Sequence, residues 1–470
     1  MKKVKLLYVS AEISPYANTG GLGEVGRSFP AALAQTEGYE VRRVMPMHKS
    51  IERSMKYVAD FPVAVDQEYE TCIVKTDGSD KKLKTYFIDN DRYFYRDNLY
   101  GYEDDGHRYF FFCKAIVEML KNLSYRPDIV HTNDWHCGFL PLLLKKEFPT
   151  IKTVYTIHNI SYHGFVPSSC LSGLLTMKEQ YLLGWPEWLN FMKAGIIYAD
   201  LLTTVSPGYC EEIKQAEYGC GMTPLIDQRE NTIVGILNGV DTEQYDPMAE
   251  GELEYPYDSK NPESKRKNRS WLREHYKLPE DDRPLVAMIT RLDYSKGIDV
   301  LLKAISYFDF KRFQLIVLGS GNPYYQGLLA NVTAGYPESM AVDFDYSAGM
   351  AKRIYAGADI YLMPSLFEPC GLGQLYAMRY GAVPIVNPVG GLKDTVFEDD
   401  EHPKKATGFY MKEWSGQALN DALNRALAAY QSPDWFSIVK NCMKYNSTWK
   451  RSVEEYLNYY DALLKCGQEM

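Results

Sequence analysis

Two basic residues, Arg291 and Lys296, lie close together in the stretch TRLDYSKGIDVLL, directly after the apolar run LVAMIT. The apolar run predicts a parallel strand, which would place both cations at its carboxyl end. An arginine clamps two oxygen atoms and a lysine supplies a point charge, so this pair suits a diphosphate group. A solvated pair of cations on a surface loop is the alternative interpretation of the same stretch.

A second stretch, MPSLFEPCGLGQLYAMRYG, begins at the end of another predicted strand. Glu368 precedes a predicted helix whose N-terminal amide groups carry partial positive charge. A carboxylate at this point can bind sugar hydroxyl groups. Cys370 fits a small buried residue beside a turn better than a nucleophile. The stretch NPVGGLKDTV predicts a second glycine turn after the next strand.

Two polar clusters each follow a predicted strand, in HTNDWHCG and TIHNISYHG. Their members are His131, Asp134 and His136 in the first cluster, and His158, Asn159 and His163 in the second. Metal ligation is one interpretation, but neither cluster has the H-x-x-x-H spacing of a helical metal site. Because such clusters converge on one edge of a parallel sheet, we favour hydrogen bonding to a polyhydroxy substrate.

The glycine-rich stretch NTGGLGEVGRS contains a G-x-G-x-x-G pattern at Gly21, Gly23 and Gly26. A dinucleotide fingerprint begins directly after its strand and is followed about 20 residues later by an acidic residue. Here the segment 12–20 separates the strand VKLLYVSA from the pattern, and the next strand, EVRRVMP, ends without a carboxylate. We therefore interpret the stretch as a loop whose bare N–H groups approach an anion or a sugar, with a simple tight turn as the alternative.

Short apolar runs alternate with longer amphipathic runs along most of the chain, which predicts an α/β fold with largely parallel sheets. The alternation stops after Asp246 in a polar, proline-containing segment and then resumes. We therefore predict two Rossmann-like, doubly wound parallel-sheet domains that face each other across an interdomain cleft. The predicted boundaries are 1–245 for the N-terminal domain, 246–283 for a linker or surface excursion, 284–450 for the C-terminal domain, and 451–470 for a helix that packs back on the N-terminal domain.

The region from about residue 60 to 105 is less regular and rich in aromatic residues. A hairpin followed by an aromatic-packed helix start is the simpler interpretation. The functional alternative is a platform of rings that stack on sugar faces.

The composition narrows the class of protein. The 470 residues are 46% hydrophobic and carry a formal charge of −9 without a strongly basic block, which argues against nucleic acid as the main partner. Nine cysteines without a C-x-x-C pair favour reduced thiols over a disulfide framework or a zinc site. No apolar run suits a signal peptide or a membrane span, so we expect a soluble, cytoplasmic protein with no membrane partner.

The order and spacing of these motifs resemble those of the bacterial glycogen synthase and plant starch synthase family, retaining glucosyltransferases of the GT-B fold. The resemblance covers nearly the whole chain and rests on SAEISPYANTGGLGEV, HTNDWH, TIHNISYHG, TTVSPGYCEEI, GILNGVDTEQYDP, TRLDYSKGIDVLL and SLFEPCGLGQLYAMRYG. It implies transfer of glucose from a nucleotide sugar, usually ADP-glucose and otherwise UDP-glucose, to the non-reducing end of an α-1,4-glucan. It also implies no metal ion and no organic cofactor, with the acceptor on the N-terminal side and the donor on the C-terminal side. The oligomeric state stays open.

The resemblance also implies roles for individual residues. The implied catalytic residues are Arg291, Lys296, Glu368 and His158. The implied donor contacts are Asn18, Gly20, Gly21, Asn159, Asn238, Tyr346, Ser365, Cys370, Gly371, Leu372 and Gly373. The implied acceptor or sugar contacts are Glu24 and Asp134. Arg291 and Lys296 would hold the diphosphate, Tyr346 would stack on the nucleobase, and the leaving phosphate would help to deprotonate the acceptor on the front face.

Three positions depart from the family's usual pattern. Asn18 stands where the family has a lysine, Glu24 stands where it has an aspartate, and Gly373 stands where it commonly has a threonine. Two donor-side contacts are therefore weakened, and the loss of a charged hydrogen bond costs about 1.5–3 kcal/mol if nothing compensates. The departures keep two alternatives open beside an active α-glucan synthase. One is a glucan-binding paralogue with little turnover, and the other is a related retaining transferase that uses UDP-glucose or a small acceptor.

Overall fold

The chain folds into two compact units, each built around its own sheet. The computed structural model describes residues 3–466, apart from 53, 67, 79–82, 172, 185–186, 230–231, 250, 252 and 400–404. The first unit comprises Met1–Gly239 and Trp449–Met470, and the second comprises Val240–Thr448. The chain therefore passes from one unit to the other twice.

The main sheet of the first unit contains nine strands. They are β1 (Val4–Val9), β2 (Tyr39–Pro46), β3 (Lys56–Val65), β4 (Glu68–Thr76), β5 (Lys84–Asp89), β6 (Ile129–Asn133), β7 (Lys152–Ile157), β10 (Leu201–Thr204) and β11 (Ile233–Gly235). A separate pair is formed by β8 (Phe165–Pro167) and β9 (Trp188–Asn190). The main order is β11-β10-β7-β6-β1-β2-β5-β4-β3, with parallel pairing from β11 to β5 and antiparallel pairing beyond it.

Helices connect the parallel strands of this unit. They are α1 (Gly21–Ala34), α2 (Asp91–Phe94), α3 (Asp105–Asn122), α4 (Leu140–Glu147), α5 (Met177–Leu183), α6 (Phe191–Tyr198), α7 (Pro207–Ile213) and α8 (Thr223–Asp227). The strand β1 lies in the middle of the sheet, and its residues from Leu6 to Val9 are fully buried. A parallel strand covered on both faces needs apolar side chains at successive positions, which explains the continuous apolar run in the sequence.

The second unit has a wholly parallel sheet of six strands in the order β14-β13-β12-β15-β16-β17. The strands are β12 (Leu285–Ile289), β13 (Gln314–Leu318), β14 (Met340–Asp343), β15 (Ile360–Met363), β16 (Val383–Val386) and β17 (Phe409–Tyr410). The helices are α9 (Arg266–Tyr276), α10 (Ile298–Ile305), α11 (Pro323–Ala334), α12 (Ala348–Gly357), α13 (Gly373–Arg379), α14 (Gly390–Thr395), α15 (Gly416–Tyr430) and α16 (Trp435–Lys444). The prediction of an α/β fold with two parallel-sheet domains is confirmed.

The last helix, α17 (Trp449–Cys466), belongs to the first unit. Its buried aromatic face packs on α1, where Trp449 and Tyr456 contact the ring of Phe29 with centroid separations of 5.2 and 4.7 Å. Tyr460 is fully buried, and its hydroxyl lies 2.7 Å from Nδ1 of His131 on β6. The C-terminal segment thus completes the core of the unit that opens the chain.

The predicted linker, residues 246–283, is not a separate segment. It belongs to the second unit and contains α9, whose Leu272 and Arg273 are buried. The guanidinium of Arg273 donates to the side chain of Gln314 and to backbone carbonyls, and Arg269 forms a buried ion pair of 2.8 Å with Asp359. Because this helix buries charged side chains that find partners, its sequence shows little of the apolar periodicity by which helices are predicted.

The aromatic-rich region forms a hairpin of β3 and β4, followed by β5 and the short helix α2. Most rings that follow, including Tyr93, Phe94 and those of 109–112, are buried in the core of the first unit. The simpler interpretation therefore accounts for most of these residues. Across the described ranges, no helix is long and apolar enough to cross a membrane.

Candidate functional site

Polar loops follow the carboxyl ends of the parallel strands in the first unit. Asp134 follows β6, His158 and Asn159 follow β7, and Asn238 follows β11, while the loop 10–20 follows β1. Neighbouring parallel strands end at the same edge of a sheet, so these loops share that edge. Ligands in α/β proteins bind at this edge, which makes it the candidate site of the first unit.

Asp134 ties two of these loops together. Its Oδ1 accepts hydrogen bonds from the backbone N–H groups of His158 at 3.1 Å and Asn159 at 3.2 Å. The side chain is buried, and the backbone adopts a left-handed φ of 58°, a strain of about 1–3 kcal/mol for a residue other than glycine. Burial raises the pKa of Asp134 to about 7, although the two backbone hydrogen bonds act to lower it. This carboxyl group therefore fixes the loop after β7 and titrates near neutral pH.

His158 carries a neutral imidazole ring. Burial lowers its pKa to about 3. Its Nε2 lies 3.0 Å from Oδ1 of Asn133, and the amide nitrogen of Asn133 donates to the carbonyl oxygen of Val9 at 2.9 Å. An amide oxygen accepts hydrogen bonds, so Nε2 holds the proton and Nδ1 is the acceptor of the ring. His158 can thus accept a hydrogen bond from a sugar hydroxyl without carrying charge.

Two histidines from the predicted polar clusters do not line this edge. His131 is 1% exposed, and its Nε2 lies 2.6 Å from Oγ1 of Thr156, with Tyr460 at its other nitrogen. His136 is 4% exposed and stacks on Tyr100 at a centroid separation of 4.7 Å. Both rings serve the packing of the core.

The buried carboxylate of Glu12 accepts hydrogen bonds from the glycine-rich loop. Its Oε2 accepts a hydrogen bond from the backbone N–H of Thr19 at 2.5 Å, and Oε1 accepts from the Thr19 hydroxyl at 2.8 Å. The hydroxyl of Tyr100 donates to Oε1 at 2.5 Å. Burial raises the pKa of Glu12, while these three hydrogen bonds act to lower it.

Asn18 shapes the exposed top of the same loop. Its Oδ1 accepts a hydrogen bond from the backbone N–H of Gly20 at 2.8 Å, and its Nδ2 donates to Oε1 of Glu24 at 3.0 Å. Gly21 begins α1, and Glu24 lies in the first turn of that helix. Asn18, Gly20 and Glu24 are thus brought together at the start of α1.

Glycine stands at the positions of this loop for different structural reasons. A Cβ at Gly23 would lie 2.8 Å from Oδ1 of Asn18, and a Cβ at Gly26 would lie 2.6 Å from the carbonyl oxygen of Glu12. A Cβ at Gly20 would meet nothing within 4 Å, and its φ of 175° is ordinary extended backbone. Packing therefore explains Gly23 and Gly26, whereas no close contact requires glycine at position 20.

In the second unit, an ion pair joins two of the loops that follow parallel strands. Nζ of Lys296, in the loop after β12, lies 2.6 Å from Oε2 of Glu368, in the loop after β15. The hydroxyl of Ser365 donates to the same oxygen at 3.1 Å. The backbone N–H of Leu366 donates to the carbonyl of Ser295 at 2.9 Å, which closes the contact between the loops.

Asp293 organises the basic loop. Its Oδ2 accepts a hydrogen bond from Nε of Arg291 at 2.7 Å, and its Oδ1 accepts from the Lys296 backbone N–H at 3.2 Å and from the Ser295 hydroxyl at 2.5 Å. Burial acts to raise the pKa of Asp293, but the hydrogen bonds and the charges of Arg291 and Lys296 outweigh it and hold the pKa below its ordinary value. The guanidinium of Arg291 remains 58% exposed. A carboxylate between the cations thus sets their loop while leaving the arginine accessible.

The turn before α13 is tightly packed. Cys370 is 5% exposed, and its carbonyl oxygen accepts a hydrogen bond from Nε2 of Gln374 at 3.1 Å. Gly371 has a φ of 73°, which favours glycine, and a Cβ at Gly391 would lie 2.2 Å from the carbonyl oxygen of Cys370. These contacts support the interpretation of Cys370 as a small buried residue at a turn.

The remaining implied donor contacts lie at the same edge of this sheet. Leu372 and Gly373 are half-buried at the start of α13. Tyr346 lies between β14 and α12 and is 54% exposed, as a stacking residue needs to be.

Sequence reasoning located the loops but missed residues that position them. These are Glu12, Asn133 and Asp293. Asp293 lies inside the TRLDYSKG stretch, and Glu12 lies in SAEIS, so an acidic residue beside each motif was a signal. Asn133 ends β6 and carried no signal apart from its place at the strand end.

Among the described residues, one group of three possible metal ligands has its ligand atoms within 4.8 Å of one another: Asp66, His107 and Cys170. Nε2 of His107 lies 3.6 Å from Oδ2 of Asp66. Burial and a hydrogen bond to Asp66 raise the pKa of the Cys170 thiol to about 12. The protonated thiol therefore acts as a hydrogen-bond donor to the Asp66 carboxylate.

Comparison with known proteins defines the class. A family model described as the starch synthase catalytic domain matches residues 5–228, and one described as glycosyl transferases group 1 matches residues 272–437. Together with two parallel-sheet units, these matches define a glycosyltransferase of the GT-B fold.

Full-length relatives narrow the class further. The glycogen synthase of Desulforudis audaxviator is 40% identical over 100% of this chain and 98% of its own length, and that of Moorella thermoacetica is 40% identical over 99% and 98%. The catalytic domain of starch synthase IV from Arabidopsis thaliana, solved with ADP and acarbose bound, has a TM-score of 0.91 at 29% identity and covers 99% of this chain and 100% of that one. The chain therefore belongs to the glycogen synthase and starch synthase family of glucosyltransferases.

Proposed function

We propose that the protein transfers glucose from ADP-glucose to the non-reducing end of an α-1,4-glucan with retention of configuration. The observation that carries this proposal is the ion pair of 2.6 Å between Lys296 and Glu368 at the carboxyl edge of the second sheet. It supports the proposal because a cation suited to a phosphate lies beside a carboxylate suited to sugar hydroxyls, and phosphate and sugar are the two halves of a nucleotide sugar.

The basic loop is proposed to stabilise the departing diphosphate. Negative charge develops on the phosphate as the bond to glucose breaks, and fixed cations around it lower the barrier without moving. Asp293 holds Lys296 and Arg291 in place before the donor arrives. The exposed guanidinium of Arg291 then binds two phosphate oxygens, and Lys296 adds a point charge.

The neutral groups at the first unit's edge are proposed to bind sugar hydroxyls. His158 offers an acceptor nitrogen, and Asp134 fixes the backbone that carries His158 and Asn159. We propose that Glu24 is a further sugar contact and that the open space beside Gly20 receives the donor.

The starch synthase IV structure supports ADP as the nucleotide and a glucan as the acceptor, since that protein was solved with ADP and acarbose. We also propose a cytoplasmic location for the activity, because the cysteines among the described residues are free thiols, as is usual in a reducing compartment.

A side-by-side assay of ADP-glucose and UDP-glucose with glycogen as acceptor tests the proposal. We expect incorporation from ADP-glucose to exceed that from UDP-glucose. Lys296→Ala should lower the rate by about a hundredfold or more, because it removes a group that stabilises the leaving phosphate. Binding of glycogen to this variant should be unchanged.

Lys311→Ala is the matched control, since Lys311 is an exposed lysine of the same unit. It should keep wild-type rates. Glycogen binding without incorporation from either donor would replace the proposal with a glucan-binding function, and a preference for UDP-glucose would change the donor alone.

A further inference from the structure

Two buried tyrosine hydroxyls occupy the space beside Gly373. A Cβ at Gly373 would lie 2.7 Å from the hydroxyl oxygen of Tyr361 and 3.6 Å from that of Tyr355. The first distance is shorter than carbon and oxygen atoms tolerate without a shift. The Tyr361 hydroxyl therefore fits at its position because residue 373 has no side chain.

The hydroxyl of Tyr361 is unable to move aside easily. Its ring lies on β15 and is 1% exposed, and its hydroxyl donates to the carbonyl oxygen of Ile289 at 2.9 Å. Tyr355, which is 4% exposed on α12, donates to the Tyr361 hydroxyl in turn. Breaking this chain would leave buried polar groups unpaired, which is costly.

The hydroxyl pair lies where the proposed donor-binding loops begin. Ile289 ends β12, directly before the loop of Arg291, and Gly373 begins α13, directly after the loop of Glu368. The electrostatic environment of the Tyr361 hydroxyl includes Glu368 and Tyr346. The hydroxyl therefore connects three elements that carry the candidate donor residues.

We propose that Tyr361 is a positioning residue of the donor site, whose hydroxyl sets the spacing between the end of β12 and the first turn of α13 and requires glycine at position 373. This inference rests on the proposed function only for its effect on donor binding. The steric coupling between Tyr361 and Gly373 stands on the geometry alone.

Tyr361→Phe tests the positioning role, because it removes the hydroxyl and keeps the ring. We expect the KM for ADP-glucose to rise about three- to tenfold, while kcat changes less than about twofold and the KM for glycogen stays constant. Tyr257→Phe is the matched control, since the Tyr257 hydroxyl is equally buried and donates to the carbonyl of Tyr380 at 2.6 Å. It should leave all three constants near their wild-type values.

Gly373→Ala tests the coupling. Alone, it should raise the donor KM by about tenfold or more, because the new methyl group displaces the Tyr361 hydroxyl. Combined with Tyr361→Phe, it should cause little further change, because the space is then free. Thermal midpoints of the four proteins should show the same non-additivity.

Multiplied KM effects and summed shifts of the midpoint in the double variant would overturn the coupling. An effect of Tyr361→Phe that matches Tyr257→Phe, or that changes donor and acceptor KM equally, would overturn the positioning role. If the wild-type protein showed no transfer, the proposed function would fail, while binding of ADP by calorimetry and the thermal midpoints would still test this inference.

Discussion

Nζ of Lys296 lies 2.6 Å from Oε2 of Glu368. This ion pair determines how the proposed donor site would bind an anion. A lysine ammonium has three N–H donors, of which Glu368 uses one. In the proposed donor site the other two remain for phosphate oxygens, so a donor would join the ion pair without breaking it. The carboxylate in turn fixes the lysine side chain before binding, which reduces the entropy that binding must overcome.

At Asn18 the family resemblance and the structure describe the same residue differently. The family resemblance describes a missing lysine, whereas the structure shows an asparagine with two partners, the Gly20 N–H and Glu24. We expect Asn18→Lys to lower the donor KM several-fold relative to Asn18→Ala, because it adds a cation to a loop that we propose to bind the donor. Both variants lose the contact with Gly20, so the comparison isolates the charge. Steady-state kinetics with ADP-glucose measures it, and identical constants for the two variants would show that the lysine position has lost its role here.

The first turns of α1 pack closely against the backbone of the preceding loop. We expect Gly26→Ala to lower the free energy of unfolding by about 1–3 kcal/mol, because its methyl group would lie 2.6 Å from the carbonyl oxygen of Glu12. Chemical denaturation measures this change.

Gly20→Ala is the paired variant, for which we expect an effect on activity and not on the free energy of unfolding. Nothing lies within 4 Å of its added methyl group, so the free energy of unfolding should stay within about 0.5 kcal/mol of the wild-type value. Its activity should fall if the open space receives the donor. A stable variant with full activity would remove Gly20 from the binding site.

Periodicity and turn chemistry were sufficient to predict the parallel sheets and the loops at their carboxyl ends. They failed for α9, because its buried face carries Arg269 and Arg273, whose charges are satisfied by partners distant in sequence. They also failed for the pair of Tyr361 and Gly373, which meet only when β15 and α13 pack together. Contacts of this kind depend on tertiary structure and leave no local pattern.

Buried neutral histidines make the free energy of unfolding depend on pH. Burial and the neighbouring His158 lower the pKa of His131 to about 3, below the value of about 6.5 in an unfolded chain. As the pH falls, the unfolded chain takes up this proton first, so the free energy of unfolding decreases. Between pH 7 and 5.5 the loss from His131 is about 1 kcal/mol.

His131→Gln removes this contribution and should lose about 1 kcal/mol less than the wild-type protein over that pH interval. The opposite effect of Asp134, whose pKa is raised to about 7, is common to both proteins and cancels in the comparison. Denaturant titrations at the two pH values measure the difference. Tyr460→Phe removes a partner of the ring and keeps the imidazole, so it should retain the acid sensitivity of the wild-type protein.

The first unit is formed from two separate segments of the chain, and this affects how it folds during synthesis. Residues 3–239 leave the ribosome long before α17, which fills their core with Trp449, Tyr456 and Tyr460. At about 5–20 residues per second, the intervening second unit imposes a delay of roughly 10–40 s. Throughout that time the apolar surface around Phe29 and His131 lacks its cover. We therefore expect the second unit to fold before α17 is available to cover the core of the first unit.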